Sequence, residues 1–507
     1  MAKFTRRQFL EDSLLAAAAM AVLPGGKLLG AEEKQSISPN EKLGVAVVGV
    51  RARGRTHLWN FLFSSDKRGG GGGGYFENFE SYPRRRDMEI IYIVDADEAI
   101  GQKRAEEIAK IQGRKPKFVQ DLRKAFDDKS VDIVSTATPN HWHALAAIWA
   151  MQAGKHVYVE KPVSYTVSEG RRIVEAARKY NKICQTGSQC RSMGATVDAV
   201  DYVRSGKIGE VKLARGLCYK SRPSIGPRGE YQVPSSVDYD LWSGPAPILP
   251  LTRKELHYDW HWQWPYGGGD LCNQGVHEVD IARWGLGQTG LSKRVFCYGG
   301  RLGYEDAGET PNTLVVVHEF PDDGKTLVFE VRGLKTESLK DAKIGVIFYG
   351  SEGYVVLTTY TAGAAFDLKG NVVKKFNGGG NHFNNFLIAV RSGKKEDLHA
   401  DILQGHLSSA LCHTANISYR LGREMSVADL KKRLSDVKSN ENALETFDRV
   451  TAHLTDNGIK IDETKLRVGP ELVFDPASET FTGNDAANKF LAREYRTPFV
   501  VPAAGEV

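Results

Sequence analysis

Cysteine is scarce in this chain, and the six that occur are scattered along its 507 residues. They form no CxxC pair and no spacing typical of a zinc site. No set of histidine, aspartate and glutamate has ligand spacing either, so the sequence predicts no metal centre. We expect buried free thiols at Cys184, Cys190, Cys218, Cys272, Cys297 and Cys412.

The chain also has little excess of either sign of charge, because its formal net charge is only +6. No long basic block occurs, so no nucleic-acid partner is predicted. Hydrophobic residues make up 41% and charged residues 26%, which is ordinary for a soluble globular protein. The length exceeds what one hydrophobic core accommodates, so two domains with extensions are expected.

The apolar run at residues 14–23 is about half the ~20 residues that a membrane span needs. With Arg6 and Arg7 before it, residues 1–31 resemble a twin-arginine export signal. The sequence therefore predicts recognition by the twin-arginine export machinery, a periplasmic or otherwise exported protein, and no stable membrane span in the mature chain. The alternative is an amphipathic N-terminal helix that stays in place.

Residues 42–187 alternate apolar strand patterns with helical ones, which predicts a Rossmann-type doubly wound parallel sheet. Six consecutive glycines, Gly69–Gly74, indicate a flexible insertion at about residues 65–87 without a catalytic role. Residues 188–425 carry closely spaced strand patterns, which predict a second α/β domain with a large, open, mostly antiparallel sheet. Residues 426–507 are polar and weakly patterned, and we interpret them as a C-terminal extension.

The turn after the first strand carries two glycines of a dinucleotide fingerprint. Gly49 and Gly54 match the first and last glycines of GxGxxG, which make the tight turn and let the helix pack on the strand. Arg51 replaces the middle glycine, and its side chain must turn outward, where it could meet a phosphate. Gly49, Arg51, Arg53 and Gly54 are thus candidate cofactor contacts, with a plain strand–turn–helix as the alternative.

Asp95 ends the second strand, where a carboxylate can accept the adenosine ribose hydroxyls. It lies 41 residues after Gly54, where ~20 is usual, and the glycine insertion accounts for the excess. An acid here repels a 2′-phosphate, so NAD is favoured over NADP. A solvated acid at a strand end is the alternative.

Two further motifs follow predicted parallel strands at their carboxyl ends, where such sheets bind ligands. Candidate cofactor contacts in them are Thr138, Pro139, Asn140, His143, Glu160 and Lys161. A lysine there can donate to a substrate hydroxyl, or lose its proton if the site lowers its pKa.

These motifs, together with the stretch Gly267–Trp284 (GGGDLCNQGVHEVDIARW), resemble the Gfo/Idh/MocA oxidoreductases, named after glucose-fructose oxidoreductase and inositol dehydrogenase. The resemblance covers residues 42–425. It implies a Rossmann domain and an α/β domain whose sheet binds substrate and packs subunits, hence a homodimer or homotetramer. It also implies that Lys161 is the catalytic lysine and that His277 acts with it as acid or base.

Asn273 stands where the family often carries aspartate. Four residues separate Asn273 from His277, so on one helix both would reach the same ligand. Asparagine can hydrogen-bond a hydroxyl but cannot take its proton, which leaves His277 or Lys161 as base. The alternative for His277 is a helix histidine bonded to a backbone carbonyl.

Aromatic residues cluster between His257 and Tyr266 and alternate with polar groups, as suits the faces and hydroxyls of a sugar ring. An edge strand packed on the core is the other interpretation. His382 is assigned to core or loop. Candidate substrate contacts are Gln189, Arg191, Tyr219, Tyr258, Trp262, Trp264, Asn273 and His277.

The sequence as a whole favours an exported oxidoreductase that transfers hydride between tightly held NAD and a hydroxyl of a sugar, glycoside or cyclitol. An alternative is a glycoside-cleaving enzyme that oxidises C3 transiently, with no net redox change. A third is a sugar-binding or scaffold protein on a relic fold.

Overall fold

The computed structural model describes residues 42–64, 79–437 and 439–507. The predicted signal at residues 1–31 and the Gly69–Gly74 run lie outside the described residues. Within these three ranges, no helix has the length and apolar character needed to cross a bilayer.

The first domain is a six-stranded parallel sheet with the strand order β3-β2-β1-β4-β5-β6. Its elements in chain order are β1 (Leu43–Val48), α1 (Ala52–Leu62), β2 (Met88–Val94), α2 (Glu98–Gln112), β3 (Lys117–Val119), α3 (Arg123–Phe126), β4 (Ile133–Thr136), α4 (Asn140–Gln152), β5 (His156–Val159), α5 (Val167–Lys179) and β6 (Cys184–Thr186). The predicted doubly wound α/β fold is confirmed. Strand order reverses beside β1, which opens a crevice at the carboxyl ends of β1 and β4.

Local sequence explains where these elements begin and end. β1 is apolar throughout and almost wholly buried, as a strand covered on both faces must be. The Asp97 carboxylate caps α2 by accepting from the backbone N–H of Ala99 at 3.1 Å. Gly113 ends the same helix at a φ of 76°, which glycine adopts without strain.

The second domain is built on a twelve-stranded sheet that is mostly antiparallel, as predicted; within it, β7 and β10 run parallel. Its strands up to residue 426 are β7 (Val211–Cys218), β8 (Arg294–Gly300), β9 (Thr313–Phe320), β10 (Lys325–Arg332), β11 (Ile344–Gly350), β12 (Gly353–Thr359), β13 (Ala362–Asp367), β14 (Val372–Asn377) and β15 (Arg423–Ser426). Its helices over the same range are α6 (Gly194–Arg204), α7 (Tyr239–Ser243), α8 (Gly269–Asn273), α9 (Gly275–Gly285), α10 (His382–Ser392) and α11 (Ile402–Leu421).

The glycine-rich stretch before His277 is two helices rather than one. α8 ends at Asn273, Gln274 stands between, and α9 begins at Gly275. A Cβ at Gly275 would lie 2.3 Å from the Phe329 ring, so only glycine lets α9 come this close to β10. Asn273 and His277 therefore lie on two helices and not on one helix as expected.

Residues 426–507, interpreted as an extension, are integrated into both domains. They form α12 (Val427–Ser435), α13 (Ala443–Asp456), β16 (Lys465–Val468), β17 (Leu472–Asp475), β18 (Thr480–Phe481) and α14 (Asp485–Asn488). β16 pairs with β15 and β8, so it continues the large sheet. Phe499 and Val501 are buried in the core of the first domain. The weak pattern reflects short elements that bury a few residues each.

Candidate active site

A cavity of about 600 Å³ lies at the carboxyl ends of β1, β4 and β5. The first domain contributes Gly49, Arg51, Arg53, Asp95, Thr138, Pro139, Asn140, His143, Glu160 and Lys161 to its wall. The second domain contributes Trp242, His257, Tyr258, Trp260, His261 and Asn273. All the predicted cofactor residues except Gly54 therefore meet at one cavity.

The turn after β1 leaves no room for a side chain at Gly49 or at Gly54. Gly49 has a φ of +77°, and a Cβ there would lie 2.8 Å from the Ala137 carbonyl oxygen. At Gly54 a Cβ would lie 1.8 Å from the Gly49 carbonyl oxygen, so Gly54 packs α1 on the turn rather than lining the cavity. This close backbone cradle at the start of a helix fits the diphosphate of a dinucleotide.

The Asp95 carboxylate is fixed by two backbone amides. Its Oδ2 accepts from Val50 N–H at 2.9 Å, and its Oδ1 accepts from Asp97 N–H at 3.0 Å. Burial raises the pKa of Asp95, and the two amide bonds oppose that effect. Each oxygen keeps a lone pair for a ligand hydroxyl, which fits a ribose next to the cradle.

The two arginines of the turn differ in position. Arg51 is half-exposed at the rim, 4.0 Å from the Glu255 carboxylate, where it can reach a bound phosphate. Arg53 donates from Nε to Glu160 Oε1 at 2.7 Å. Arg53 therefore holds Glu160, and contact with a cofactor stays a prediction for both arginines.

Glu160 is the centre of a buried polar network. His57 Nε2 lies 3.1 Å from its Oε1, and Gln189 donates Nε2–H to the same oxygen at 3.0 Å. Burial alone would raise the pKa of Glu160, but Arg53 and His57 outweigh it and hold that pKa well below its usual range. Glu160 is thus a fixed negative charge rather than a proton donor.

His143 ties together the two motifs on the strand ends. Its Nδ1 lies 2.6 Å from the Pro162 carbonyl oxygen, and its Nε2 lies 2.8 Å from the Thr138 carbonyl oxygen. Both ring nitrogens are occupied by backbone, so His143 shapes the cavity wall beside Lys161.

Lys161 follows β5 and its Nζ donates to the backbone carbonyl oxygen of Asn273. Burial lowers the pKa of Lys161, while the nearby Glu160 carboxylate opposes that shift. A lysine with a lowered pKa can exchange a proton with a substrate hydroxyl. Asn273 acts on it through its main chain, which the sequence did not indicate.

His277 is buried and does not line the cavity. Its Nδ1 lies 3.4 Å from Cys190 Sγ. Burial, followed by the positive charge of Lys161, lowers the pKa of His277 to about 3. The ring is therefore neutral at pH 7 and lies in the electrostatic field of the lysine.

Glu278 is a buried acid near Lys161 that the sequence reasoning missed. Its Oε1 accepts from the Tyr360 hydroxyl at 2.5 Å and from Gln274 Nε2 at 3.3 Å. Its Oε2 has no hydrogen-bond partner among the described residues. Burial raises the pKa of Glu278 to about 7. The available signal was a glutamate directly after His277 in the helix Gly275–Gly285.

The aromatic cluster lines the cavity, but partly through residues that were not predicted. Tyr258 lines it, together with Trp260 and His261. Trp262 instead stacks under Arg222 at 5.4 Å, and Trp264 lines a separate cavity of about 170 Å³. The 3₁₀ turn Asp259–Trp262 replaces the alternation of a strand, so the wrong tryptophans were selected.

Three predicted polar contacts also lie outside the cavity. Tyr219 donates to Glu330 within the large sheet, at 2.8 Å. Arg191 forms a buried ion pair with Asp280 at 2.8 Å. Gln189 holds Glu160 from behind, and His382 lies in the core, as expected. The sequence shows that these residues are polar, but it does not show which face of the structure their side chains occupy.

Among the described residues, no group of three histidine, cysteine, aspartate or glutamate side chains could hold a metal ion.

Two family models match most of the chain. The model described as "Oxidoreductase family, NAD-binding Rossmann fold" matches residues 43–188, and the model described as "Oxidoreductase family, C-terminal alpha/beta domain" matches residues 227–454. The fold and the cavity thus define an oxidoreductase with an NAD-binding Rossmann domain. The chain belongs to the Gfo/Idh/MocA family, as its motifs indicated. The second match extends into the range that we interpreted as an extension.

Curated relatives include proteins that act on sugars. Levoglucosan dehydrogenase of Pseudarthrobacter phenanthrenivorans is 28% identical over 255 residues, which are 46% of this chain and 57% of that protein. An alpha-N-acetylgalactosaminidase of Shewanella oneidensis is 28% identical over 210 residues, 41% of this chain and 44% of that protein. The chain spans about half the length of the curated relatives it matches.

Solved structures share the fold at low sequence identity. Aldose-aldose oxidoreductase from Caulobacter crescentus, complexed with glycerol, is 17% identical with a TM-score of 0.53, over 74% of this chain and 97% of that chain. The WlbA dehydrogenase from Bordetella pertussis, in complex with NADH and UDP-GlcNAcA, is 18% identical with a TM-score of 0.50, over 73% and 94%. These similarities are similarities of fold.

Proposed function

We propose that the protein is a nicotinamide-dependent oxidoreductase acting on a hydroxyl of a sugar, glycoside or cyclitol. The observation that carries the proposal is the position of Lys161. This half-buried lysine lines one cavity together with the Gly49 cradle and Asp95 of the first domain and with Tyr258 and Trp260 of the second. Rings of tyrosine and tryptophan suit the apolar faces of a pyranose, and the Lys161 amine in the same cavity can hydrogen-bond a sugar hydroxyl.

The residues divide the work between proton handling and support. NAD, when bound, supplies the hydride acceptor or donor. Lys161 takes the hydroxyl proton during oxidation and returns it during reduction, because burial lowers its pKa and so favours the neutral amine that accepts a proton. The Asn273 carbonyl orients the Lys161 amine, and Glu160 keeps a negative charge beside it.

We further propose NAD in preference to NADP, held tightly, in a protein exported by the twin-arginine machinery. The half-buried Asp95 carboxylate supports NAD, because it would repel a 2′-phosphate. Arg6 and Arg7 before a short apolar run support export. A folded, exported enzyme keeps the cofactor it captured in the cytoplasm, so regeneration in place follows.

The test is Lys161→Met, assayed for NADH formation with a panel of monosaccharides, anhydrosugars and cyclitols. We expect a loss of about 10²–10⁴-fold in rate with NAD affinity retained. The control is Lys129→Met, the same change at an exposed position of the same domain. A Lys161→Met protein that binds NAD and turns over at the original rate would contradict the proposal.

A glycoside-cleaving activity is the second candidate, favoured by the relatives named glycosyl hydrolase family 109 protein and alpha-N-acetylgalactosaminidase. Here oxidation at C3 acidifies the neighbouring C–H, the glycosidic bond is broken by elimination, and the hydride is returned after water adds. In ²H₂O, cleavage of an aryl glycoside would place deuterium at C2 without net NADH. Stoichiometric NADH with an oxidised sugar as product would exclude this candidate.

A further inference from the structure

We propose that a second cavity, of about 400 Å³, binds a small molecule through a phosphate or sulfate group. This cavity shares no lining residue with the candidate active site. It lies where the 3₁₀ turn Gln189–Ser192, the end of α9 and the start of α11 meet. Five cations line it: Arg178, Arg191, Arg204, Arg283 and Lys395.

Carboxylates do not balance these cations. Glu396 and Asp401 also line the cavity, and Asp280 lies behind it against Arg191. Asp401 is already bound by Arg178, at 2.5 Å. Five positive charges thus face three negative ones, and the excess draws an anion into the cavity.

The deepest part of the cavity holds two guanidinium groups that share one carboxylate. Arg191 donates to both oxygens of Asp280, at 2.8 and 2.9 Å, while Arg283 Nη2 lies 3.6 Å from the same carboxylate. Both arginines are more than nine-tenths buried. One buried positive charge is left without its own counter-ion, which an incoming anion would supply.

The remaining hydrogen bonds of Arg283 are to neutral oxygens, the Gln288 carbonyl at 2.8 Å, Gln404 Oε1 at 2.6 Å and Ser408 Oγ at 3.3 Å. Burial, then the charge of Arg191, lowers the pKa of Arg283 to about 10, in keeping with the uncompensated charge. Arg191 Nη1 has no hydrogen-bond partner in the part of the chain that the structure describes. It is available to a ligand.

A helix N-terminus adds to the positive electrostatic potential in the second cavity. α11 has 20 residues and begins beside this cavity, with Asp401 as its N-cap and Gln404 in its first turn. Helix N-termini favour anions. Planar guanidinium groups match the paired oxygens of a phosphate or sulfate, and the volume leaves room for the group to which the oxyanion is attached.

The turn Gln189–Ser192 connects this cavity to the active site. Gln189 donates to Glu160, Cys190 contacts His277, and Arg191 lines the second cavity. An anion bound to Arg191 therefore acts on the turn that supports both Glu160 and His277. The proposed site stands independently of the proposed reaction.

Trp284 provides the measurement, because it lines the cavity and the Arg191 guanidinium stacks on its ring at 5.0 Å. Intrinsic fluorescence would be titrated with inorganic phosphate, sulfate and glucose 6-phosphate at constant ionic strength, with glucose as the uncharged comparison. We expect a saturable change with the anions that is absent in Trp284→Phe. Tighter binding of glucose 6-phosphate than of phosphate would identify a phosphorylated sugar, and equal binding a free oxyanion.

The charge dependence is tested with the double variant Arg204→Gln, Lys395→Gln, since both side chains are exposed and their loss spares the fold. Loss of the two exposed charges should weaken binding about fivefold. The matched control, Arg423→Gln with Lys129→Gln, removes the same charges elsewhere on the surface and should leave binding unchanged.

The proposal is overturned if no anion gives a saturable change, or if both double variants bind alike. Failure of this proposal would say nothing against the proposed function, which is tested separately by NAD binding and turnover.

Discussion

At the scale of single residues, Asp95 determines cofactor choice through its charge. Asp95→Asn keeps one acceptor for the Val50 and Asp97 amides and removes the negative charge. We expect NAD to bind about tenfold more weakly, because hydrogen bonds to a charged group are the stronger ones. NADP should bind better than it does to the wild type.

Calorimetric titration with each cofactor measures both effects. Asp132→Asn is the matched control, because the Asp132 carboxylate also accepts from a backbone amide of β1, that of Gly44 at 2.8 Å, but at the amino end of the strand. If both variants change NAD affinity equally, Asp95 has only a structural role in the strand.

The protonation of Glu278 should make the free energy of unfolding depend on pH. Burial raises its pKa to about 7 from an ordinary 4.5, so between these values the folded state binds more protons than the unfolded state. Stability therefore falls as the pH rises through that window. Glu278→Gln keeps an acceptor for Tyr360 and has no charge to bury. The variant should gain about 1–3 kcal/mol over the wild type at pH 8 relative to pH 4.

Urea unfolding of the two proteins at a series of pH values checks this prediction. The informative quantity is the difference between their free energies of unfolding, since other groups titrate equally in both. A difference that stays constant from pH 4 to pH 8 would mean that Glu278 keeps an ordinary pKa.

At the scale of elements, the parallel sheet could be predicted closely and the second domain only in outline. β1 and β2 were delimited correctly, because both are mostly apolar runs, as is typical of strands in a buried parallel sheet. The close approach of Gly275 to β10 could not be predicted, since it involves the Phe329 ring of a distant strand. Tyr219 and Arg191 were misplaced because sequence shows that a polar residue is present, not which surface it faces.

Substitutions in α13 test whether the C-terminal residues stabilise the fold. Phe447 is 1% exposed and packs with Leu466 and Val468 of β16 in one hydrophobic cluster. Phe447→Ala should cost about 3–5 kcal/mol, the usual cost of emptying an aromatic site in a core. Asp456→Ala, at an exposed position of the same helix, should stay within about 0.5 kcal/mol. Equal effects in thermal unfolding would show that α13 is a loosely attached appendage.

At the scale of the whole molecule, the end of the chain returns to the first domain and covers α4. The Phe499 ring contacts Trp142 at 5.4 Å and Trp149 at 6.4 Å, and Trp142 also lines the cofactor cavity. Leu491, a few residues earlier, packs in the core of the second domain. The last residues thus link the cores of both domains.

Phe499→Ala should therefore do two things at once. Emptying a buried aromatic site lowers the free energy of unfolding by about 3–5 kcal/mol. Because Trp142 loses its support, NAD should also bind more weakly, although residue 499 does not line the cofactor cavity. Val500→Ala is the control, since Val500 is 45% exposed beside it in the chain. Thermal unfolding with and without NAD separates the two effects. Lower stability with unchanged NAD affinity would mean that the cofactor cavity does not depend on the C-terminal residues, and that each domain holds its own part of the site.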